Sequence, residues 1–171
     1  MDSDPVKRSL ILMVCFCMAA CTGVTEIPQV AAPPMPEMPS PGRKLVTTPD
    51  AAWQSANCGS RPLPYLRVDN SEVIPQAVKR GGSIIHRFGY IACVPAQPGY
   101  ILGQLRTTVV FNGKELNTRT DKTYPIDTGG WIVDTEIAVP PQAEPGVYLI
   151  EASLVAKDTT VLDRINFTVQ P

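Results

Sequence analysis

The tightest constraint on the fold is a period-two alternation that fills the last third of the chain. Trp131, Val133, Ile137 and Val139 share one parity, and Asp134 and Glu136 share the other. Pro140-Pro141 stops that run. Tyr148, Ile150, Ala152 and Leu154 then alternate with Glu151 and Ser153. Val161, Ile165, Phe167 and Val169 follow, with Arg164, Asn166 and Thr168 between them. A strand sends successive side chains to opposite faces, so this pattern describes strands with one dry and one wet face. No window carries a long apolar repeat of 3.6, so helices cannot supply the core.

The same signal runs weaker upstream. Leu66 and Val68 start a run that continues unevenly to Val73 and Ile74, and Gly81-Gly82 breaks the chain. Ile84 to Cys93 is the next run, ended by Pro95, Pro98 and Gly99. Leu105, Thr107, Val109 and Phe111 alternate with Arg106, Thr108 and Val110, and Asn112-Gly113 follows at once. That dipeptide supplies two residues tolerant of positive φ, the strongest short hairpin signal. The return strand, Lys114 to Arg119, is mostly polar and reads as a sheet edge. About seven short strands with turn residues between them predict an all-β, two-layer antiparallel sandwich over residues 58–171.

Pro145-Gly146-Val147-Tyr148 adds a specific detail. A Pro-Gly turn feeding a tyrosine on the penultimate strand resembles the tyrosine corner of immunoglobulin-like and fibronectin-like domains. The run from Asn112-Gly113-Lys114, through Gly129-Gly130-Trp131, to Tyr148 resembles bacterial Ig-like modules. The resemblance implies a seven-stranded Ig-like sandwich, with the Tyr148 ring in the core and its hydroxyl bonded back to the main chain. Cys58 precedes the first clear strand, so the core cysteine pair of antibody domains is not implied. The fold hosts many roles and names none of them.

Ahead of the sandwich the composition shifts. Pro28, Pro33, Pro34, Pro36, Pro39 and Pro41 crowd together, with Ala31, Ala32, Met35 and Met38 between them. Proline fixes φ and lacks a donor, so residues 21–57 are expected to form a tether, partly polyproline II. Fully extended, that stretch reaches roughly 100 Å. Before it, Lys7 and Arg8 precede an apolar run from Leu10 to Ala20, too short for a bilayer span, which needs about 20 residues. The run ends on Met18-Ala19-Ala20-Cys21, which resembles the lipobox of bacterial lipoproteins. The resemblance implies removal of residues 1–20, lipid on Cys21, and a membrane hold through several acyl chains. Thr22, where an aspartate would mark inner-membrane retention, points to the outer membrane. Under that reading Cys15 and Cys17 leave with the signal and Cys21 takes the lipid. Cys58 and Cys93 remain in an oxidising envelope and are expected to form one disulfide.

Charge and chemistry narrow the function. Of fifteen basic and sixteen acidic residues, Lys7, Arg8, Asp2 and Asp4 lie in the first twenty positions, leaving thirteen and fourteen. That balance offers no basic face for nucleic acid. Two cysteines and one histidine are too few for a structural zinc set, and no metal or cofactor is expected. His86, the only histidine, shares the parity of Phe88 and Tyr90 and reads as a packed strand residue. No Gly-x-Ser-x-Gly elbow and no Gly-rich phosphate loop appears. Asp121, Asp127, Asp134 and Glu136 read as a solvated surface rather than a calcium site or a carboxylate pair. Asn166-Phe167-Thr168 matches a glycosylation sequon, incidental in a bacterial lipoprotein. An enzyme is therefore not expected. Trp53, at the end of the tether, and Tyr65 and Tyr100, in Pro-rich loops, are the candidate ligand or partner contacts. The expected function is a lipid-anchored cell-envelope protein whose sandwich binds another protein, as an accessory subunit of a surface or secretion assembly. The alternative is a carbohydrate or small-ligand module that uses the same aromatics.

Overall fold

The computed structural model describes residues 42–171, and within them the alternating segments form strands in two sheets. In chain order these are β1 (Arg43–Thr47), β2 (Tyr65–Ile74), β3 (Ala77–Lys79), β4 (Ser83–Cys93), β5 (Tyr100–Phe111), β6 (Lys114–Asp127), β7 (Gly129–Ala138), β8 (Gly146–Ala156) and β9 (Thr159–Gln170). Between β1 and β2 lie one helix, α1 (Pro49–Ser55), and a single 3-10 turn (Cys58–Ser60). One sheet has the order β1-β7-β4-β2 and the other β3-β9-β8-β5-β6. Every pairing is antiparallel except β3 with β9. The chain is all-β with a sandwich core, as its alternation predicts.

The described residues hold nine strands, not the expected seven, and the two additions have different causes. β3 is three residues long, too short to show a period of two. β1 and α1 lie inside the stretch 21–57 expected to be tether, so the described residues hold regular structure ahead of Cys58; Arg43–Thr47 contains no proline to bar a strand. Pro49 occupies the first turn of α1, where its missing N–H costs nothing, and the Thr48 side chain caps the helix by accepting from Ala51 N–H. The expectations for residues 1–41, including the signal, the lipid on Cys21 and the run of prolines from Pro28 to Pro41, lie outside the described residues.

Local chemistry explains the joints. Asn112 and Gly113 both take positive φ, 50° and 76°, as the two-residue hairpin between β5 and β6 requires. The uneven pattern of β2 reflects a register shift between Val68 and Asn70. β1 can approach β7 because Gly130 has no side chain; a Cβ there would fall 2.6 Å from Cβ of Thr47.

Three apolar clusters fill the interior. Leu66, Phe88, Tyr90, Tyr124, Ile126 and Leu154 fill one part, and Ile84, Val139, Tyr148, Ile150, Phe167 and Val169 another. A third packs around the cysteines. On β4 the inward residues run Ile84, His86, Phe88, so His86 falls at the seam between the first two.

Candidate functional site

Trp53 and Tyr65 both pack against one small buried cluster centred on the two cysteines. Cys58 and Cys93 form a disulfide, with Cα atoms 5.9 Å apart, which ties the 3-10 turn to the end of β4. Ala52, Ala56, Cys58, Ile91 and Cys93 bury around it. Trp53, Leu63 and Tyr65 pack against that cluster and stay partly exposed. Tyr65 opens β2 directly opposite Cys93. The Arg61 guanidinium lies 4.4 Å from the centre of the Tyr65 ring, and its Nε donates to the Ala56 carbonyl at 2.7 Å. The result is a half-exposed patch of indole, phenol and guanidinium on a covalently braced base. Tyr100 opens β5 opposite Asp127, outside this cluster. Arg61 and α1 were missed in the sequence, although Thr48-Pro49-Asp50 is a helix-start signal.

A second set of groups holds β1 in place. The Arg43 guanidinium sits 3.5 Å from the centre of the Trp131 ring and pairs with the Asp127 carboxylate. Behind it the Tyr90 and Tyr124 hydroxyls share a hydrogen bond at 3.1 Å. Burial pushes both phenols above their ordinary range, so they stay neutral at physiological pH. Arg43 therefore fastens the first strand across the end of the core, a structural role for a residue expected to lie in the tether.

His86 is fully buried, and neither ring nitrogen has a hydrogen-bond partner among the described residues. Its Nε2 lies 3.7 Å from Oδ2 of Asp163, an inward residue of β9. That same oxygen accepts from the Ser71 hydroxyl at 2.5 Å. A serine, a histidine and an aspartate thus meet, but in the wrong order for nucleophilic catalysis. The hydroxyl must bond to the imidazole to be activated, whereas here it bonds to the carboxylate. Burial pushes the imidazole below its ordinary range, an effect the Asp163 and Asp134 charges partly oppose. The histidine is neutral at pH 7 and forms part of a polar seam between two apolar clusters.

The acidic residues are dispersed. Asp127 pairs with Arg43, and Asp134 takes a two-pronged bond from Arg87, which also reaches Glu72. Asp121 accepts from the Thr123 backbone, and Glu136 is exposed. Among the described residues no group of three or more His, Cys, Asp or Glu is placed to hold a metal ion. The Tyr148 ring is buried, and its hydroxyl donates to the Glu144 carbonyl at 2.8 Å, the bond expected of a tyrosine corner.

One concave feature stands apart from these. A groove of about 440 Å³ opens between the sheets, lined by Phe111, Leu116, Ile137, Val139, Tyr148 and Phe167 among others. Leu116 is half exposed on its rim.

No known family model matches the sequence, and no curated protein is similar to it. Part of the chain is similar in shape to several solved structures. The alkylpurine DNA glycosylase AlkC of Pseudomonas fluorescens, bound to DNA containing an abasic site analog, is 12% identical over 62% of this chain and 30% of that one, with a TM-score of 0.47. The β-glucosidase EmGH1 of Erythrobacter marinus is 9% identical over 63% of this chain and 16% of that one, with a TM-score of 0.45. The sporulation control protein Spo0M of Bacillus subtilis is 10% identical over 62% of this chain and 49% of that one, with a TM-score of 0.38. The match spans less than half the length of each, and at these TM-scores none lends this chain an activity, a substrate or a partner.

Proposed function

We propose that this chain is a lipid-anchored cell-envelope protein, held to the outer membrane through Cys21, whose Ig-like sandwich binds another protein as an accessory subunit of a larger assembly. The observation that carries the binding role is the Trp53–Tyr65–Arg61 patch. Tryptophan, tyrosine and arginine are the side chains most enriched at binding hot spots. Here the cluster around the disulfide seats Trp53 and Tyr65, and the Ala56 carbonyl and the Tyr65 ring hold Arg61, which lowers the ordering cost of association. The Ig-like reading draws support from the Tyr148 corner on the penultimate strand. The role is non-enzymatic: His86 is sealed in the core and Ser71 is committed to Asp163. Anchoring rests on the Met18-Ala19-Ala20-Cys21 resemblance.

Affinity purification of the full chain from gently solubilised membranes tests the binding role. A stoichiometric protein partner is expected, and Trp53→Ala should lose it. Glycan-array binding that Trp53→Ala abolishes, with no protein partner, would overturn this reading in favour of a carbohydrate module.

A further inference from the structure

We propose, on the reading of the disulfide patch as a protein-binding site, that Arg61 is its carboxylate receptor. The partner segment it fits carries a glutamate or aspartate with an apolar side chain beside it. The first observation is how the cation is held. The guanidinium lies over the Tyr65 ring, 4.4 Å from its centre, and Nε donates to the Ala56 carbonyl at 2.7 Å. Ala56 is buried at the C-terminal cap of α1, and Tyr65 is paired with Cys93 across β2 and β4. The ring sets the position of the guanidinium and the hydrogen bond sets its rotation. A rotamer-rich side chain is thus ordered before anything binds it.

The second observation is the missing counter-charge. Arg43, Arg67, Arg87, Arg106 and Arg164 each pair with a carboxylate. Among the described residues Arg61 pairs with none, and it is exposed. Arg80 and Arg119 are exposed too, but among the described residues neither a ring nor a carbonyl holds them. Arg61 alone combines a fixed guanidinium with an open charge among the described arginines. With Nε committed to Ala56, its two Nη groups remain as the planar fork that takes a carboxylate through two parallel hydrogen bonds.

The third observation is what surrounds the cation. Trp53, Leu63 and Tyr65 pack on the buried cluster around the disulfide and stay partly exposed. An ion pair bathed in water contributes little to association. Apolar groups that close around it exclude water and strengthen it. The site therefore selects a carboxylate flanked by an apolar or aromatic side chain over a fully hydrated acidic run. A uronic acid carries the same charge ringed by hydroxyls, a poorer match to Leu63 and the two rings.

Titration of the full chain, labelled with heavy nitrogen in a non-ionic detergent, tests the proposal. The probes are acetyl-Phe-Glu-amide and acetyl-Phe-Gln-amide, which differ in charge and hardly in shape. The Arg61 Nε–H and Trp53 indole N–H resonances should both shift with the Glu peptide. The Gln peptide should bind about tenfold more weakly, because the charge-assisted hydrogen bonds are lost. Arg61→Gln should abolish the difference, read at Trp53, and Arg61→Lys, which keeps the charge without the fork, should not restore it. Equal binding of the two peptides, or no shift with either, would overturn the proposal. Tighter binding of methyl galacturonate would overturn it in favour of an acidic sugar. A shift of the Arg61 resonance in Glu26→Gln/Glu37→Gln without any probe would overturn it in favour of the chain's own carboxylates. Partner capture separates this proposal from the reading beneath it. A partner held equally by the parent and by Arg61→Gln would sink the carboxylate receptor and leave the binding role standing. No partner on the parent would sink the binding role, and the titration would still decide the receptor.

Discussion

Replacing Tyr148 separates the two ways one side chain holds this fold. Tyr148 is 4% exposed; its ring stacks on Phe111 and tilts over Phe167, while the hydroxyl donates to the Glu144 carbonyl. Tyr148→Phe keeps the ring and removes one hydrogen bond. Glu144 is an exposed residue, so its carbonyl is expected to take a water in place of the hydroxyl. The cost should be about 1 kcal/mol. Tyr148→Ala also removes the ring. Deleting a buried aromatic costs about 3–5 kcal/mol, and two ring partners are lost here. The ring already borders the open groove, so part of the void will fill with water, which places the cost near the lower end, about 3 kcal/mol. With a urea m-value of about 1.5 kcal/mol/M, the midpoints should fall by about 0.7 M and about 2 M. Equilibrium urea unfolding followed by Trp fluorescence reads both. A Phe variant as unstable as the Ala variant would mean the hydroxyl, not the packing, holds the corner. An Ala variant within about 0.5 kcal/mol of the parent, the range of ordinary surface changes, would refute the packing argument.

Two further outcomes follow from named groups. Breaking the Cys58–Cys93 bridge, which closes a loop with a sequence separation of 35, should cost about 3–4 kcal/mol in the chain-entropy model. Urea unfolding of the Cys58→Ala/Cys93→Ala double variant measures it, and an unchanged midpoint would contradict it. The unfolded chain protonates His86 near pH 6.5, but burial holds the folded imidazole below that value. The His86 contribution is therefore full above about pH 6.5 and is lost as the pH falls from there toward the folded value, by at most about 2 kcal/mol at pH 5. His86→Leu should remove that part of the slope between pH 7.5 and 5, and an identical slope in the variant would contradict the assignment.

Much of the sandwich was legible because sheets with one wet face write their period into the sequence. Seven of the strands, the Asn112-Gly113 hairpin and the bond from the Tyr148 hydroxyl to the main chain followed from local chemistry that tertiary packing did not override. Arg43 and β1 were hidden because five residues next to a proline-rich run carry no statistical weight, and their strand exists only through pairing with β7. The partner of His86 was hidden for another reason. Asp163 shares the inward parity of Val161 and Ile165, but a carboxylate on an apolar face signals nothing until the opposing strands supply Ser71 and His86. The patch around the disulfide was half legible. Trp53 and Tyr65 stood out as aromatics outside the core pattern, whereas their meeting depends on α1 and on the disulfide that folds it back to β4.

The central claim is that Cys21 fastens this sandwich to a membrane. Cells expressing the full chain and fed an alkyne analogue of palmitate provide the direct measurement, with the label read on the purified protein. The account predicts a labelled protein in the membrane fraction, and an unlabelled one for Cys21→Ser. An unlabelled parent chain, or a Cys21→Ser chain that labels as strongly, would contradict it.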